Sequence, residues 1–101
     1  MLRPAKLSDN ELTTALKDAP LWVLSDNKIV REMVAANFPA VIGIINAIAI
    51  LAEKMDHHPD LLIYGWNKLR ITLSTHDKQG LTEFDFKLAR QIDALRLDAM
   101  K

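Results

Sequence analysis

The chain has 101 residues, half of them hydrophobic, with 13 Lys and Arg matched by 13 Asp and Glu and no cysteine. That length suits one domain, residues 1–101, with a core small enough to gain from self-association. The charge balance leaves no basic excess to neutralise phosphates, which excludes nucleic-acid binding driven by charge. The lack of cysteine excludes disulfides and thiolate chemistry and fits a cytoplasmic setting.

The opening Met-Leu-Arg-Pro-Ala-Lys has no apolar stretch after its basic residues and does not read as a secretory signal. Ser8-Asp9-Asn10-Glu11 has capping-box spacing, so a short helix should follow to about Asp18, with Leu12 and Leu16 on one face, ended by Ala19-Pro20. Leu21 to Leu24 reads as a strand, Ser25 to Lys28 as a turn, and Ile29 to Ala35 as a second strand of the same hairpin.

Asn37-Phe38-Pro39 looks like a helix start. The helix should run from about Pro39 to Met55, with Val41, Ile44, Ile45, Ile48, Leu51, Ala52 and Met55 at helical spacing. Ile42, Ala49 and Ile50 lie off that stripe, so the helix should be buried on more than one side, one against the sheet and the other against a second subunit. Its apolar run, Ala40 to Ala52 interrupted by Asn46, falls short of the roughly 20 residues that span a bilayer, and no membrane partner is expected.

Pro59 disfavours helical geometry at His58 and stops the helix. Leu61 to Trp66 then reads as a third strand and Lys68 to Thr75 as a fourth. In the fourth, Leu69, Ile71 and Leu73 alternate with Lys68, Arg70, Thr72 and Ser74, and His76 has the parity of the polar face. Lys78-Gln79-Gly80 is a turn, and Thr82-Glu83-Phe84-Asp85 is a second capping box opening a helix with Phe84, Leu88, Ile92 and Leu95 on one stripe. The order α-β-β-α-β-β-α predicts an α+β fold: a four-stranded antiparallel sheet with three helices packed on one face.

All three histidines lie between positions 57 and 76, each at the end of an element. Histidine gives and takes protons near neutrality, which suits general acid–base work. The bland alternative is a set of surface histidines at loop ends. A zinc site is the sharper one, but adjacent His57 and His58 reach one metal only with difficulty, and no H-E-x-x-H spacing exists. Asp85 is explained by its capping box and Glu53 by solvation at a helix end. Trp22 and Trp66 read as core or interface aromatics.

Taken whole, Glu53-Lys54-Met55-Asp56-His57-His58-Pro59-Asp60 resembles the signature of the pterin-4a-carbinolamine dehydratases, a helix-end acid followed by His-His-Pro. Ser74-Thr75-His76-Asp77 resembles the Thr-His element of that family. Gly80-Leu81-Thr82 with Asp85 resembles its Gly-Leu-Thr-x-x-Asp element. The clear similarity covers about Ala52 to Asp93, with a looser extension through Trp22, Arg31 and Phe38. Two departures stand out. Leu61 replaces a frequent aromatic, and the segment to Trp66 is one residue longer, so either Tyr64 or Trp66 could be the matching pocket aromatic, with spacing favouring Trp66.

The resemblance implies removal of water from 4a-hydroxytetrahydropterin to give quinonoid dihydropterin, in recycling of the pterin used by an aromatic amino-acid hydroxylase, with no metal and no bound cofactor. It implies His57 and His76 as acid and base in unassigned order and His58 as a pterin-orienting residue. Glu53 or Asp56 would hold a histidine tautomer, with Pro59, Trp66, Thr75 and Asp85 in support. It also implies a homodimer or homotetramer, which the apolar central helix 39–55 suits. The alternative is a non-catalytic dimerisation scaffold or transcriptional regulator that uses the same helix.

Overall fold

The computed structural model of the chain describes residues 4–95. Helix α1, Asp9–Lys17, begins with the expected capping box: Ser8 Oγ accepts the Glu11 N–H at 3.2 Å, and the Glu11 carboxylate accepts the Ser8 N–H at 2.9 Å. None of its residues is fully buried, and Leu12, Ala15 and Leu16 rest partly buried against the core.

Strands β1, Val23–Ser25, and β2, Lys28–Val34, form the first hairpin, turned by Asp26 at φ 54°. β1 starts two residues later than the expected Leu21 because the chain is still turning there. The Trp22 N–H bonds to Ala19 O at 3.0 Å, and the Trp22 indole is drawn inward to Asp93. Ser25 and Lys28 pair as strand residues, so the turn contracts to Asp26 and Asn27. β2 ends at Val34 instead of Ala35, whose N–H goes to Asn67 O.

Helix α2, Phe38–Met55, is capped by Asn37, whose Oδ1 accepts the Ala40 N–H at 2.9 Å. Asp56 closes it in the left-handed region at φ 50°, which turns the chain sharply into His57. Strands β3, Asp60–Tyr64, and β4, Lys68–Leu73, form the second hairpin. β3 stops before the expected Trp66 because Gly65 and Trp66 both take left-handed backbone, at φ 55° and 60°. β4 stops before Thr75, whose N–H and C=O turn to pair with Gly80. His76–Lys78 is a short 3₁₀ turn, with Gln79 left-handed after it, so His76 is not a strand residue and strand parity does not set its direction. Helix α3, Glu83–Asp93, follows its own capping box from Thr82.

The four strands form one antiparallel sheet in the order β1-β2-β4-β3, with the three helices on one face. Register aligns Ile29 with Leu73, Arg31 with Ile71 and Met33 with Leu69, so one row of alternate residues faces the helices. Val41, Ile44 and Ile48 of α2 and Leu88 and Ile92 of α3 pack onto it, all wholly buried, each contributing about 1.5–3 kcal/mol. One side of α2 meets the sheet as expected, and the side expected to meet a second subunit is uncovered in one chain. Val41, Ile44, Ile48, Ala52 and Met55 face the sheet, whereas Ile42 and Ile50 are 37% and 61% exposed. A single helical layer covers only the sheet-facing side of its longest helix. By length and composition α2 would suffice to cross a bilayer, but these five buried side chains join it to the core.

Candidate active site

The fold brings the C-terminal end of α2, the start of β3 and the end of β4 to one edge, together with the N-terminus of α3. A cleft of about 210 Å³ opens there, lined by His57, His58, Ser74, Thr75, His76 and Asp77. All three histidines, 19 positions apart at the extremes, thus border one space.

His57 is the buried member, 4% exposed, and its Nε2 lies 2.6 Å from Oδ1 of the fully buried Asp85. The other carboxylate oxygen accepts the Thr75 hydroxyl at 2.8 Å and the Thr82 N–H at 2.9 Å. The Thr75 and Thr82 hydroxyls are 2.7 Å apart. Thr75 spends its single proton on Asp85, so Thr82 is the donor between the two hydroxyls. Thr82 Oγ1 in turn accepts the Phe84 N–H at 3.2 Å. The network runs in one direction and ends on a carboxylate with every buried side-chain polar atom among the described residues partnered. A carboxylate at Asp85 accepts a proton carried on Nε2, so neutral His57 keeps the lone pair of Nδ1. Phe84 packs edge-on against the imidazole, with ring centroids 5.9 Å apart, and fixes its plane.

His58 is exposed and is held by Glu53, with 2.9 Å between His58 Nε2 and the Glu53 carboxylate. The pair is solvated and worth little in energy, so it orients the ring and does not anchor the fold. His76 is exposed at the start of the 3₁₀ turn. Among the described residues no group of three His, Asp or Glu side chains converges as a metal-ligand set.

Of the nine expected residues, the cleft and its support unite His57, His58, His76, Glu53, Thr75 and Asp85. Asp56 is the left-handed cap of α2; among the described residues the carboxylates hydrogen-bonded to the histidines are Glu53 and Asp85. Pro59 stands between His58 and the start of β3 and is not among the residues that line the cleft. Trp66 is 63% exposed at the tip of the β3–β4 turn, whereas the histidines lie at the hairpin's base. The five residues of β3 separate them by about 16 Å. Tyr64 is equally remote, its hydroxyl donating to Glu32 on the outer sheet face at 2.6 Å. Among the described residues Phe84 sets its ring against a histidine, and helical spacing marks it only as a core residue. Thr82 was also missed: its cap position gives no hint that its hydroxyl reaches Thr75 on another element.

A family model described as pterin 4 alpha carbinolamine dehydratase matches residues 5–95. A protein of Chloroflexus aggregans, provisionally named pterin-4-alpha-carbinolamine dehydratase, is 49% identical over 92 residues, spanning 90% of this chain and 97% of its own. A Nocardia farcinica protein with the same provisional name is 47% identical over 89 residues, spanning 88% of this chain and 93% of its own. The crystal structure of a transcriptional coactivator/pterin dehydratase from Brucella melitensis superposes with a TM-score of 0.82 at 34% identity, over 88% of this chain and 96% of that one. The fold also recurs, at a TM-score of 0.58 and 20% identity over 79% of this chain and 89% of that one, in a pterin dehydratase-like protein identified as a RuBisCO assembly factor in the alpha-carboxysome. On the match across residues 5–95 and these relatives, the chain belongs to the pterin 4 alpha carbinolamine dehydratase family.

Proposed function

We propose that the chain, as one domain of this family, dehydrates a pterin-4a-carbinolamine to the quinonoid dihydropterin by histidine general acid–base catalysis. The observation that carries the reading is the union of three histidines around one cleft, one of them clamped by a buried carboxylate. Dehydration breaks the C4a–oxygen bond, needs a proton on the departing hydroxyl, and releases a proton from a ring nitrogen. His57, with its proton held on the Asp85 side, offers the Nδ1 lone pair and takes the ring proton. His76, open to solvent, delivers a proton to the hydroxyl and is recharged from water. His58, steadied by Glu53, orients the pterin. The reaction needs no cofactor in this scheme. Its cellular place is recycling of the tetrahydropterin in the cytoplasm beside an aromatic amino-acid hydroxylase.

The same reading assigns self-assembly to α2. Its outward Ile42 and Ile50 form an uncovered apolar flank, which a homodimer or homotetramer would bury. That flank also favours a second reading, a scaffold or transcriptional regulator that binds a partner through α2; the Brucella melitensis relative is named a transcriptional coactivator as well as a pterin dehydratase.

The test is the dehydration rate of freshly made 4a-hydroxytetrahydropterin, followed by its ultraviolet change, with the wild type, His57→Ala and His76→Ala. The proposal expects a large acceleration over the spontaneous reaction, lost on either substitution. No acceleration by a folded, assembled wild type, together with no binding of pterin, would transfer the function to the scaffold reading.

A further inference from the structure

Thr82 is wholly buried, deeper than any of the three histidines, and is not among the residues that line the cleft. Helix capping accounts for one of its side-chain bonds: Oγ1 accepts the Phe84 N–H at 3.2 Å. A cap needs only an acceptor. The hydroxyl proton has a separate use, because the same oxygen lies 2.7 Å from Thr75 Oγ1, seven positions back and on another element.

Thr75 has one proton and two neighbouring acceptors, the Thr82 hydroxyl and Oδ2 of Asp85 at 2.8 Å. The carboxylate is the stronger acceptor, so the Thr75 proton goes to it and the Thr82 proton fills the Thr75 lone pair. The Thr82 N–H reaches the same Oδ2 at 2.9 Å. Thr82 therefore holds one carboxylate oxygen twice, directly through its N–H and, by way of Thr75, through its hydroxyl. Both holds fall on Oδ2, which leaves Oδ1 turned to Nε2 of His57.

The same link steadies the other side of the site. Thr75 directly precedes His76, and its N–H donates to Gly80 O at 2.8 Å across the 3₁₀ turn that His76 begins. Thr75 is buried even though it lines the cleft, so its hydroxyl is committed to the interior. A β-branched side chain has few rotamers. Without the Thr82 donor, the Thr75 oxygen would keep an unfilled lone pair in the core. Rotation toward the cleft, where water fills it, relieves that cost and takes a donor from Asp85.

Resting on the dehydratase reading, we infer that Thr82 is a positioning residue of the reaction. Acting through the Thr75 hydroxyl, it fixes the Asp85 carboxylate and with it the proton and plane of His57.

The experiment measures kcat and KM for dehydration of 4a-hydroxytetrahydropterin with wild type, Thr82→Val, Thr82→Gly, Thr82→Ser, Thr75→Val and the Thr75→Val, Thr82→Val pair. Thermal melting checks that each folds. Valine keeps the shape of threonine without the hydroxyl, and glycine is tolerated at an N-cap, so a capping role alone would leave Thr82→Gly active. The positioning role expects kcat to fall about tenfold in both, with KM changed less than about twofold. Thr82→Ser returns the hydroxyl and should recover kcat to within about threefold. In the Thr75→Val background the link is already cut, so Thr82→Val should lower kcat by less than about twofold more. Nitrogen-15 spectra of the histidine rings give a second readout, since they report which nitrogen carries the proton. The His57 signals should move in Thr82→Val and return in Thr82→Ser. Unchanged kcat in Thr82→Val and Thr82→Gly, or a tenfold loss repeated in the Thr75→Val background, overturns the role of Thr82 and leaves the dehydratase reading intact. No acceleration by the wild type overturns the dehydratase reading, and unmoved His57 signals in Thr82→Val would then overturn the coupling as well.

Discussion

Oδ1 of Asp85 lies 2.6 Å from Nε2 of His57, joining the opening turn of α3 to the segment that follows α2 across 28 positions of sequence. Asp85 is wholly buried and also accepts from Thr75 and from the Thr82 backbone, so its carboxylate is immobilised by three donors. The imidazole inherits that rigidity, and its tautomer with it. The capping role and the site role of Asp85 are one arrangement: Oδ2 closes the capping box while Oδ1 meets the histidine.

Asp85→Asn should therefore keep the shape of the side chain and lose the function of the pair. The Thr75 hydroxyl and Thr82 N–H keep the amide C=O in the place of Oδ2, so the NH2 faces Nε2 and moves the His57 proton to Nδ1. The dehydration rate should fall by about 100-fold or more, the ordinary contribution of one positioned base. Because the two residues act as a unit, Asp85→Asn with His57→Ala should be no slower than His57→Ala alone. A double variant slower by the product of the single effects would show that Asp85 acts independently of His57.

The outer sheet face carries a pH-dependent contact. Glu32 accepts from the Tyr64 hydroxyl and from Arg70, and these hydrogen bonds, that of Tyr64 first, hold its carboxyl below the usual glutamate range. The same bond to Glu32 raises the Tyr64 phenol. A lowered acid stabilises the fold above its ordinary value of 4.5 and loses that contribution as pH falls through the folded value. A raised phenol stabilises below its ordinary 10.0 and loses the contribution as pH rises through the folded value. The Tm gap between wild type and Glu32→Gln should be greatest between these limits and close as pH falls through the folded value of the carboxyl. A gap that stayed constant from neutrality into acid would refute the assignment. Added salt should narrow it, since the groups are exposed.

Much of this was legible in the sequence, and the illegible part has a physical cause. The Ser8 and Thr82 boxes, the α2 stripe and the alternation from Lys68 to Leu73 are local patterns, and local chemistry writes them directly. The family resemblance rested on elements now seen to meet: His57-His58 and Ser74 to Asp77 line one cleft, backed by Asp85. Spacing along the chain does not register the left-handed Gly65-Trp66 turn, which sets Trp66 at the far end of the hairpin from the histidines of the same chain. The choice between Glu53 and Asp56 depended on one backbone angle, the positive φ of Asp56 that ends α2. Thr82 and Phe84 act on residues from other elements, and no local period encodes such contacts.

The flank of α2 gives a prediction about assembly. Ile50 is 61% exposed and Ile42 37% exposed in one chain, so charged replacements there cost the isolated fold little. Ile42→Glu with Ile50→Glu should leave far-ultraviolet dichroism unchanged and shift the protein to a monomer in sedimentation or size-exclusion measurements. If the doubly substituted protein kept the mass of the wild-type assembly, α2 would not be the assembly surface.

Stability away from the cleft should depend on Asp93, near the last turn of α3. Its carboxylate takes Nη1 of Arg31 at 2.7 Å and the Trp22 indole N–H at 3.0 Å, tying the first hairpin to the last helix. Arg31 and Trp22 are both buried, so removing the acceptor strands a cation and an indole donor together. A carboxylate beside a helix C-terminus is otherwise unfavourable, which marks this one as held by Arg31. Asp93→Ala should lower the unfolding free energy by about 2–4 kcal/mol in urea titration. Trp22→Phe alone removes one hydrogen bond and should cost about 1 kcal/mol from that bond. In the Asp93→Ala background the same change should cost less, because the indole has already lost its acceptor. Costs that simply add would mean that Trp22 and Asp93 do not share the bond, and the link between hairpin and helix would have to lie in apolar packing instead.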